Sequence, residues 1–367
     1  MHGGRTPAGG GGWLHAITRR RGPIPSLDGL RAVAIALVLI DHAAGMPKPG
    51  GAWSRIYPYI IQLGIPGVAL FFVLSGFLIT GILLGEEESR GGISLRRFYF
   101  RRTLRIFPAF YTLVGVILLL SAFGWPHVRL DQALAPLTYT SDYVVPVLKA
   151  SASHMSVSWT LDHSWSLSVE EQFYLIWPAA LVLLGARRAP PIAVGTILLV
   201  PLLRVLTVLA LPGTNNLQYE FFFHCRADAL ATGCLLACLR PALHAHVRYQ
   251  KLLRSPWMWL APVAAVLAFE APQIGWALRP ASAELWTLVF WGWVFLGWTV
   301  MNVALALCLD WCVTNHRSIA GRMLNAKPVV AIGVLSYSIY LWQNLFLAAR
   351  TSCRCSVGGR SWRWSER

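Results

Sequence analysis

The chain runs to 367 residues, 56% of them hydrophobic and 13% charged, with 17 tryptophans and a formal net charge of +16. Soluble domains carry about a quarter charged residues, so the polar surface that water demands is missing. The positive balance does not point to nucleic acid: no such motif is present, and the basic residues sit in short segments between apolar runs, as the positive-inside rule expects.

Residues 1–25 are Gly-rich, then basic, and read as a low-complexity cytoplasmic segment. The apolar run after it is too long for a signal-peptide core and lacks a small-residue cleavage site, so it is expected to stay in the protein. Hydropathy predicts an all-α, polytopic transmembrane helical bundle over residues 26–348. Its nine spans lie near 27–45, 65–84, 107–123, 167–185, 190–211, 222–239, 257–271, 284–309 and 328–348. With the N-terminus inside, the cytoplasmic segments carry 20 Lys and Arg residues and the external loops only 5, which sets that orientation. The loop at 124–166 is the longest external one and the sizeable place for partner recognition. After the ninth span, residues 349–367 form a tail with Arg350, Arg354, Arg360, Arg363 and Arg367 on the external side, the wrong sign for it. The expectation drawn from that mismatch is a truncated or frame-shifted end that has lost a tenth span. The cysteines predict no metal site. Cys234/Cys238 and Cys308/Cys312 are four apart in apolar helices, with no second pair at metal-ligand spacing.

Ionisable residues inside membrane-length runs are costly and mark function by default. In LDGLRAVAIALVLIDHA (27–43), Arg31 and His42 are eleven residues apart. That is close to three turns, so they share one helix wall about 16 Å apart. Asp28 sits one turn before Arg31 and can pair with it. An arginine snorkelling to the headgroups is the plain alternative for Arg31; for His42 beside Asp41, a function is favoured.

In ISLRRFYFRRTLRIFPAFY (93–111), Arg96, Arg97, Arg101, Arg102 and Arg105 present a guanidinium face, with Arg101/Arg105 at i,i+4 and Arg102/Arg105 at i,i+3. Such forks suit a polyphosphate; an ordinary basic loop on anionic lipid is the simpler account of the charge alone. In SWSLSVEEQFYLIWP (164–178), Glu170 and Glu171 either cap a helix begun by Ser166 or Ser168, or form a carboxylate pair that binds sugar hydroxyls or orients a base. FFFHCRADALATGCLLA (221–237) puts Arg226 and Asp228 in an apolar run. An i,i+2 pair does not face itself, so each needs a partner elsewhere, and packing glue is slightly favoured over a site. Finally, GVLSYSIYLWQN (333–344) offers Ser336, Tyr337, Tyr340 and Gln343, an interfacial aromatic belt by default. Ser75, in LSGF, is a candidate oxyanion or substrate contact, set against close helix packing beside Gly76.

Taken in order, LDGLRAVAIALVLIDH, GVALFFVLSGFLIT, RRFYFRRTLRIFPAFY, WSLSVEEQFYLIWP, RADALATGCLLA and LSYSIYLWQ resemble the membrane-bound acyltransferase 3 family, O-acyltransferases of bacterial surface glycans and antibiotics. The resemblance runs from about Ser26 to Gln343. It implies that the family's arginine-ten-residues-histidine signature falls on Arg31 and His42 and its arginine pair on Arg102 and Arg105. Its acidic string falls on Glu170 and Glu171, its arginine–aspartate string on Arg226 and Asp228. It further implies an acyl-CoA donor taken from the cytoplasm, commonly acetyl-CoA. The implied acceptor is a carbohydrate hydroxyl, such as a unit of exopolysaccharide or lipopolysaccharide or a lipid-linked glycan. The protein would then sit among the lipids of a bacterial inner membrane. Where the family has a further apolar span, this chain runs into its Arg-rich tail.

On that footing Arg102, Arg105 and Arg31, with Arg101 beside them, would hold the donor's phosphates while its arm runs up the first helix. His42 would deprotonate the acceptor hydroxyl or carry the acyl group itself; both routes stay open. Asp41 points about 100° from His42 on a helix, so a carboxylate from elsewhere, such as Glu171 beside Glu170, is an equal candidate to orient it. Asp28, Ser75, Arg226, Asp228 and Tyr337 are expected as substrate contacts or structural support. The competing class is a transporter or flippase with Arg31, His42, Arg226 and Asp228 as its pathway, and a degenerate acyltransferase is the third.

Overall fold

The computed structural model describes residues 24, 26–44, 62–126, 128, 130–150, 159–211, 218–261, 263–265 and 291–357. Every regular element among them is helical. Helix α1 (Leu27–Ala44) has 18 residues and so rises about 27 Å, close to the thickness of a bilayer core. Helices α2 (Gly64–Arg90) and α3 (Leu95–Ala122) form a hairpin around Gly91. Gly91 is left-handed (φ 74°) and donates its N–H to the Glu87 carbonyl, a helix ending that favours glycine. Ser94 then starts α3 by accepting the Arg97 N–H. The Arg-rich string and the third apolar run are thus one 28-residue helix that passes through Pro108.

Two short helices follow, α4 (Leu130–Leu137) and α5 (Ser141–Ala150), before α6 (Ser164–Leu184) and α7 (Ala189–Ala210). Helix α8 (Phe223–Ala245) bends by 104° into α9 (Val247–Arg254). A π turn at Trp293–Gly297 leads into α10 (Trp298–Thr314), and α11 (Ile319–Leu324) and α12 (Lys327–Val357) come after it.

Among the described residues, six helices are long and apolar enough to cross a membrane, or seven if α8 and α9 count as one span. The nine expected are not reached. Helix α1 carries Asp28, Arg31 and Asp41 within its 18 residues, and the runs expected at 257–271 and 284–309 lie partly outside the described residues. So does most of the segment 1–25. Residues 349–357, expected as the start of a tail, continue α12 as helix. Leu175, Leu183 and Leu198 are 63%, 81% and 70% exposed on their helices, a surface that lipid covers and water does not favour.

Helix α1 packs against α2 and α12, and α2 packs against α8. The α2–α8 crossing is backbone to backbone: a side chain at Gly76 would meet the Leu230 carbonyl, and one at Gly233 would meet that of Val73. Two small residues facing each other bring membrane helices this close. They let α2 sink into the bundle, where Phe72, Phe77, Ile79 and Leu83 are buried. Ser75 adjoins Gly76, so this crossing also fixes where Ser75 stands. Gly76→Val and Gly233→Val should each lower the thermal midpoint in detergent, by the ~1–3 kcal/mol typical of overpacking. Unchanged midpoints in both would show that the crossing has room to spare.

Candidate active site

A pocket of about 110 Å³ lies among α1, α2, α3, α6 and α12, with Arg31, Ser75, Arg102, Arg105, Glu170 and Tyr337 in its wall. At its centre Ser75 donates to a Glu170 carboxylate oxygen at 2.6 Å and accepts from the Tyr174 hydroxyl at 3.1 Å. Glu170 and Tyr174 stand one turn apart on α6. The Arg102 guanidinium lies over the Tyr174 ring, 4.2 Å from its centroid, a cation–π contact. Arg31 donates to Asp28 at 2.6 Å, as their spacing predicts, and Arg31 and Arg102 both act electrostatically on Arg105. Tyr337 is fixed by its hydroxyl, which donates to the Ile106 carbonyl at 3.0 Å. Three guanidinium groups thus line the pocket with one partly buried carboxylate, and Arg31 alone of the three has an aspartate beside it. The pocket is net positive and suited to an anion.

Arg101 is not brought to this wall. Along α3, Arg97 and Arg101 form one i,i+4 stripe, and Arg102 and Arg105 form the next. The first stripe meets Glu86, at 2.9 and 3.8 Å, and the second meets the pocket. The single guanidinium face expected from the sequence is therefore two faces with different partners.

His42 also lies outside the pocket wall, which ends at Ser166 and Tyr340, whose hydroxyls share a short hydrogen bond. The Tyr340 hydroxyl donates onward to the His163 carbonyl at 2.9 Å, and its ring meets the His163 ring edge-on at 5.3 Å. His163 Nε2 contacts the Leu341 carbonyl at 3.1 Å and Nδ1 contacts the Asn344 amide nitrogen at 3.0 Å. Those partners select the tautomer in which Nε2–H donates and Nδ1 accepts. Asn344, Gln343 and Asp162 in turn neighbour His42. Asp41 Oδ2 stands 4.0 Å from His42 Nε2, closer than the 100° offset of adjacent helix positions predicts. The carboxylate arriving from elsewhere is Asp162, whereas Glu171 lies with Glu170 and Arg102 and acts on Tyr139 and Tyr337.

The capping alternative for Glu170 and Glu171 fails on position. Helix α6 begins at Ser164 with His163 as its N-cap, so the two carboxylates come well past the first turn. Ser166 bonds to Tyr340, and Ser168 donates to the Ser164 carbonyl and accepts the Ser141 N–H.

Arg226 and Asp228 form a third cluster away from both others, each with a partner elsewhere. Asp228 pairs with Arg204 at 2.5 Å, both side chains fully buried, and accepts from Thr299 at 2.7 Å. Arg226 lies 3.5 Å over the Trp298 ring and donates to the Glu220 carbonyl at 2.6 Å. Arg204 escaped the sequence reading, although a lone arginine in the fifth apolar run is itself a signal. Tyr174, Asp162, His163 and Asn344 escaped it too. Two of these, Asp162 and His163, stand directly before the SWSLSVEEQ string, and only the fold shows that they face His42.

Membrane-length helices around a buried, net-positive pocket, with an imidazole cluster further along the same helices, define a multi-pass helical membrane protein. A family model described as an acyltransferase domain, acyltransferase 3, matches residues 24–353, and the chain belongs to that family. It is 29% identical over 338 residues to the peptidoglycan O-acetyltransferase OatA of Listeria monocytogenes, covering 89% of this chain and 50% of that one. It is 28% identical over 327 residues to the O-acetyltransferase OatA of Staphylococcus aureus, covering 87% and 50%. With the putative peptidoglycan O-acetyltransferase YrhL of Bacillus subtilis the identity is 30% over 339 residues, covering 90% and 49%. The chain spans about half the length of these curated relatives. No solved structure matches.

Removing one partner of the buried Arg204–Asp228 pair leaves an uncompensated charge. Arg204→Leu or Asp228→Leu should cost about 3–5 kcal/mol, and the double Leu variant should regain most of it. Thermal unfolding in detergent checks this; single variants as stable as the parent would show that the pair is not what holds α7 to α8.

Proposed function

We propose that the chain is an integral-membrane O-acyltransferase that moves an acyl group from cytoplasmic acyl-CoA to a carbohydrate hydroxyl. The observation that carries this reading is the pocket: three arginines and one partly buried carboxylate in its wall, in a chain of the acyltransferase 3 family. The relatives' names speak of O-acetylation and of peptidoglycan. An acetyl group and a peptidoglycan sugar are accordingly the first donor and acceptor to try, ahead of exopolysaccharide or lipopolysaccharide.

The residues fit such a donor. Arg102 and Arg105 form no direct ion pair among the described residues, with Glu170 and Glu171 acting on them at longer range, and can take phosphate oxygens in bidentate fashion with Arg31 beside them. The Lys and Arg bias puts this end of α1 on the cytoplasmic side, where acyl-CoA is found. A space of about 110 Å³ suits a short acyl group on its thioester.

In transfer, His42 takes the proton of the acceptor hydroxyl while the hydroxyl oxygen bonds to the thioester carbonyl carbon. As the carbon–sulfur bond breaks, His42 returns that proton to the leaving thiolate, so an ester and a free thiol result. Asp41 and Asp162 are placed to stabilise the imidazolium that forms in between. Ser75 and Glu170 hold Tyr174 under Arg102 and so keep one phosphate ligand in position.

His42→Ala, in membranes that still contain folded protein, should reduce transfer from acetyl-CoA to a peptidoglycan acceptor to background. Near-parental transfer would remove His42 from the mechanism. Arg105→Ala should raise the donor KM roughly 10–100-fold, the loss of a charge-assisted hydrogen bond to phosphate. An unchanged donor KM would argue against the phosphate role.

A further inference from the structure

Gln343 is buried, at 4% exposure, and among the described residues its carboxamide makes no hydrogen bond of ordinary geometry; the side chain it acts on is the His42 imidazole. Burying an amide in this way is costly, because the water it gives up is not replaced by a protein partner of good geometry. Two of its neighbours are tied into the bundle: Asn344 reaches His163, and Tyr340 bonds both Ser166 and the His163 carbonyl. A structural glutamine at this position would have been given a partner in the same way.

Position supplies the second observation. On α12, Ser336, Tyr340 and Gln343 fall at i, i+4 and i+7 and share one stripe. The first two line the pocket, so Gln343 carries the same wall one turn further, where it adjoins the imidazole of His42. The unsatisfied amide therefore sits between the end of the donor pocket and the group proposed as base.

We infer that Gln343 is an acceptor-binding residue, whose carboxamide takes the hydroxyl groups of the carbohydrate beside His42. This rests on the acyltransferase reading above. A carboxamide offers a donor and an acceptor in one plane, the pattern presented by neighbouring hydroxyls on a sugar ring. Nε2–H donates to the oxygen of the attacking hydroxyl, which leaves that hydroxyl's proton for His42, and Oε1 accepts from the next hydroxyl along. Being uncharged, the amide does not compete with His42 for the proton.

The test compares the full chain with Gln343→Met and Gln343→Asn in detergent, using acetyl-CoA and a soluble peptidoglycan disaccharide. Methionine keeps the length and burial of the side chain and removes both hydrogen-bonding atoms. Gln343→Met should keep or raise the thermal midpoint, because the carboxamide makes no hydrogen bond of ordinary geometry and its burial is costly. Its donor KM should stay within twofold, while kcat/KM for the disaccharide falls tenfold or more. Gln343→Asn, which keeps the amide one methylene short, should lie between the two. A lowered midpoint in Gln343→Met would mark a structural amide and overturn the inference, as would a loss of acceptor kcat/KM smaller than tenfold. No transfer by the parent chain would overturn the acyltransferase reading and this inference with it, an outcome distinct from failure of the variants alone.

Discussion

A carboxylate at membrane depth has to be met from several helices at once, because no bulk water is there to solvate it. Glu170 is the carboxylate on which the pocket depends. Ser75 of α2 donates to it, Tyr174 of α6 donates to Ser75, and Arg102 of α3 covers the Tyr174 ring. Those three contacts set the rotation of three helices about their own axes. The penalty for leaving such a group unmatched is several kcal/mol, larger than a single van der Waals contact between the same helices could resist. Ser75 can serve only because Gly76 and Gly233 allow α2 and α8 to meet at the backbone, so a packing constraint and an electrostatic one are satisfied by adjacent residues.

The same rule separates structural from functional polar groups elsewhere in the bundle. Asp310 is fully buried and is matched completely: Arg240 at 2.6 Å, His244 at 2.8 Å and Tyr249 at 2.7 Å. Asp228 is matched by Arg204 and Thr299. Both clusters join a buried carboxylate to cationic and hydroxyl partners on other helices, as a network that fixes helix packing should. The arginine-lined pocket is different, since three guanidinium groups and one carboxylate line it. Gln343 is different in the opposite sense, being neutral and short of partners. Uneven matching of polar groups on the helices that carry Arg31 and His42 fits a site better than packing alone.

Much of this site was legible along the chain wherever one helix decides the geometry. The i,i+3 spacing of Asp28 and Arg31 gave their ion pair, and the i,i+2 spacing of Arg226 and Asp228 gave the need for outside partners. What a single helix cannot decide was not legible. Arg101 and Arg102 are adjacent, and their separation into two stripes depends on Glu86 lying across the first of them. Glu171 and Asp162 were equal in principle as partners for His42. The choice falls to Asp162 because α6 starts at Ser164, which leaves Glu171 about two turns along the helix beside Arg102. Asp41 was discounted on the angle between adjacent helix positions, which fixes where the Cβ atoms point but not where the side chains end. The described residues count six or seven spans and not nine because α1 carries three charges within its 18 residues and two of the expected runs lie partly outside those residues.

The division between the two clusters follows charge. Phosphates are expensive to carry into the bundle, so a donor of this kind is best held where arginines are in excess, at the end of α1 that bears Arg31. The arm of such a donor is slim and bears no charge near its thioester, and a hydroxyl acceptor is neutral as well. The groups around His42 suit neutral partners: the carboxamides of Gln343 and Asn344 offer hydrogen bonds without charge, and the two nearby carboxylates, Asp41 and Asp162, are turned to the imidazole. Tyr340 stands between the clusters with its hydroxyl already committed to Ser166 and the His163 carbonyl. Those two bonds tie α12 to α6 where the pocket ends.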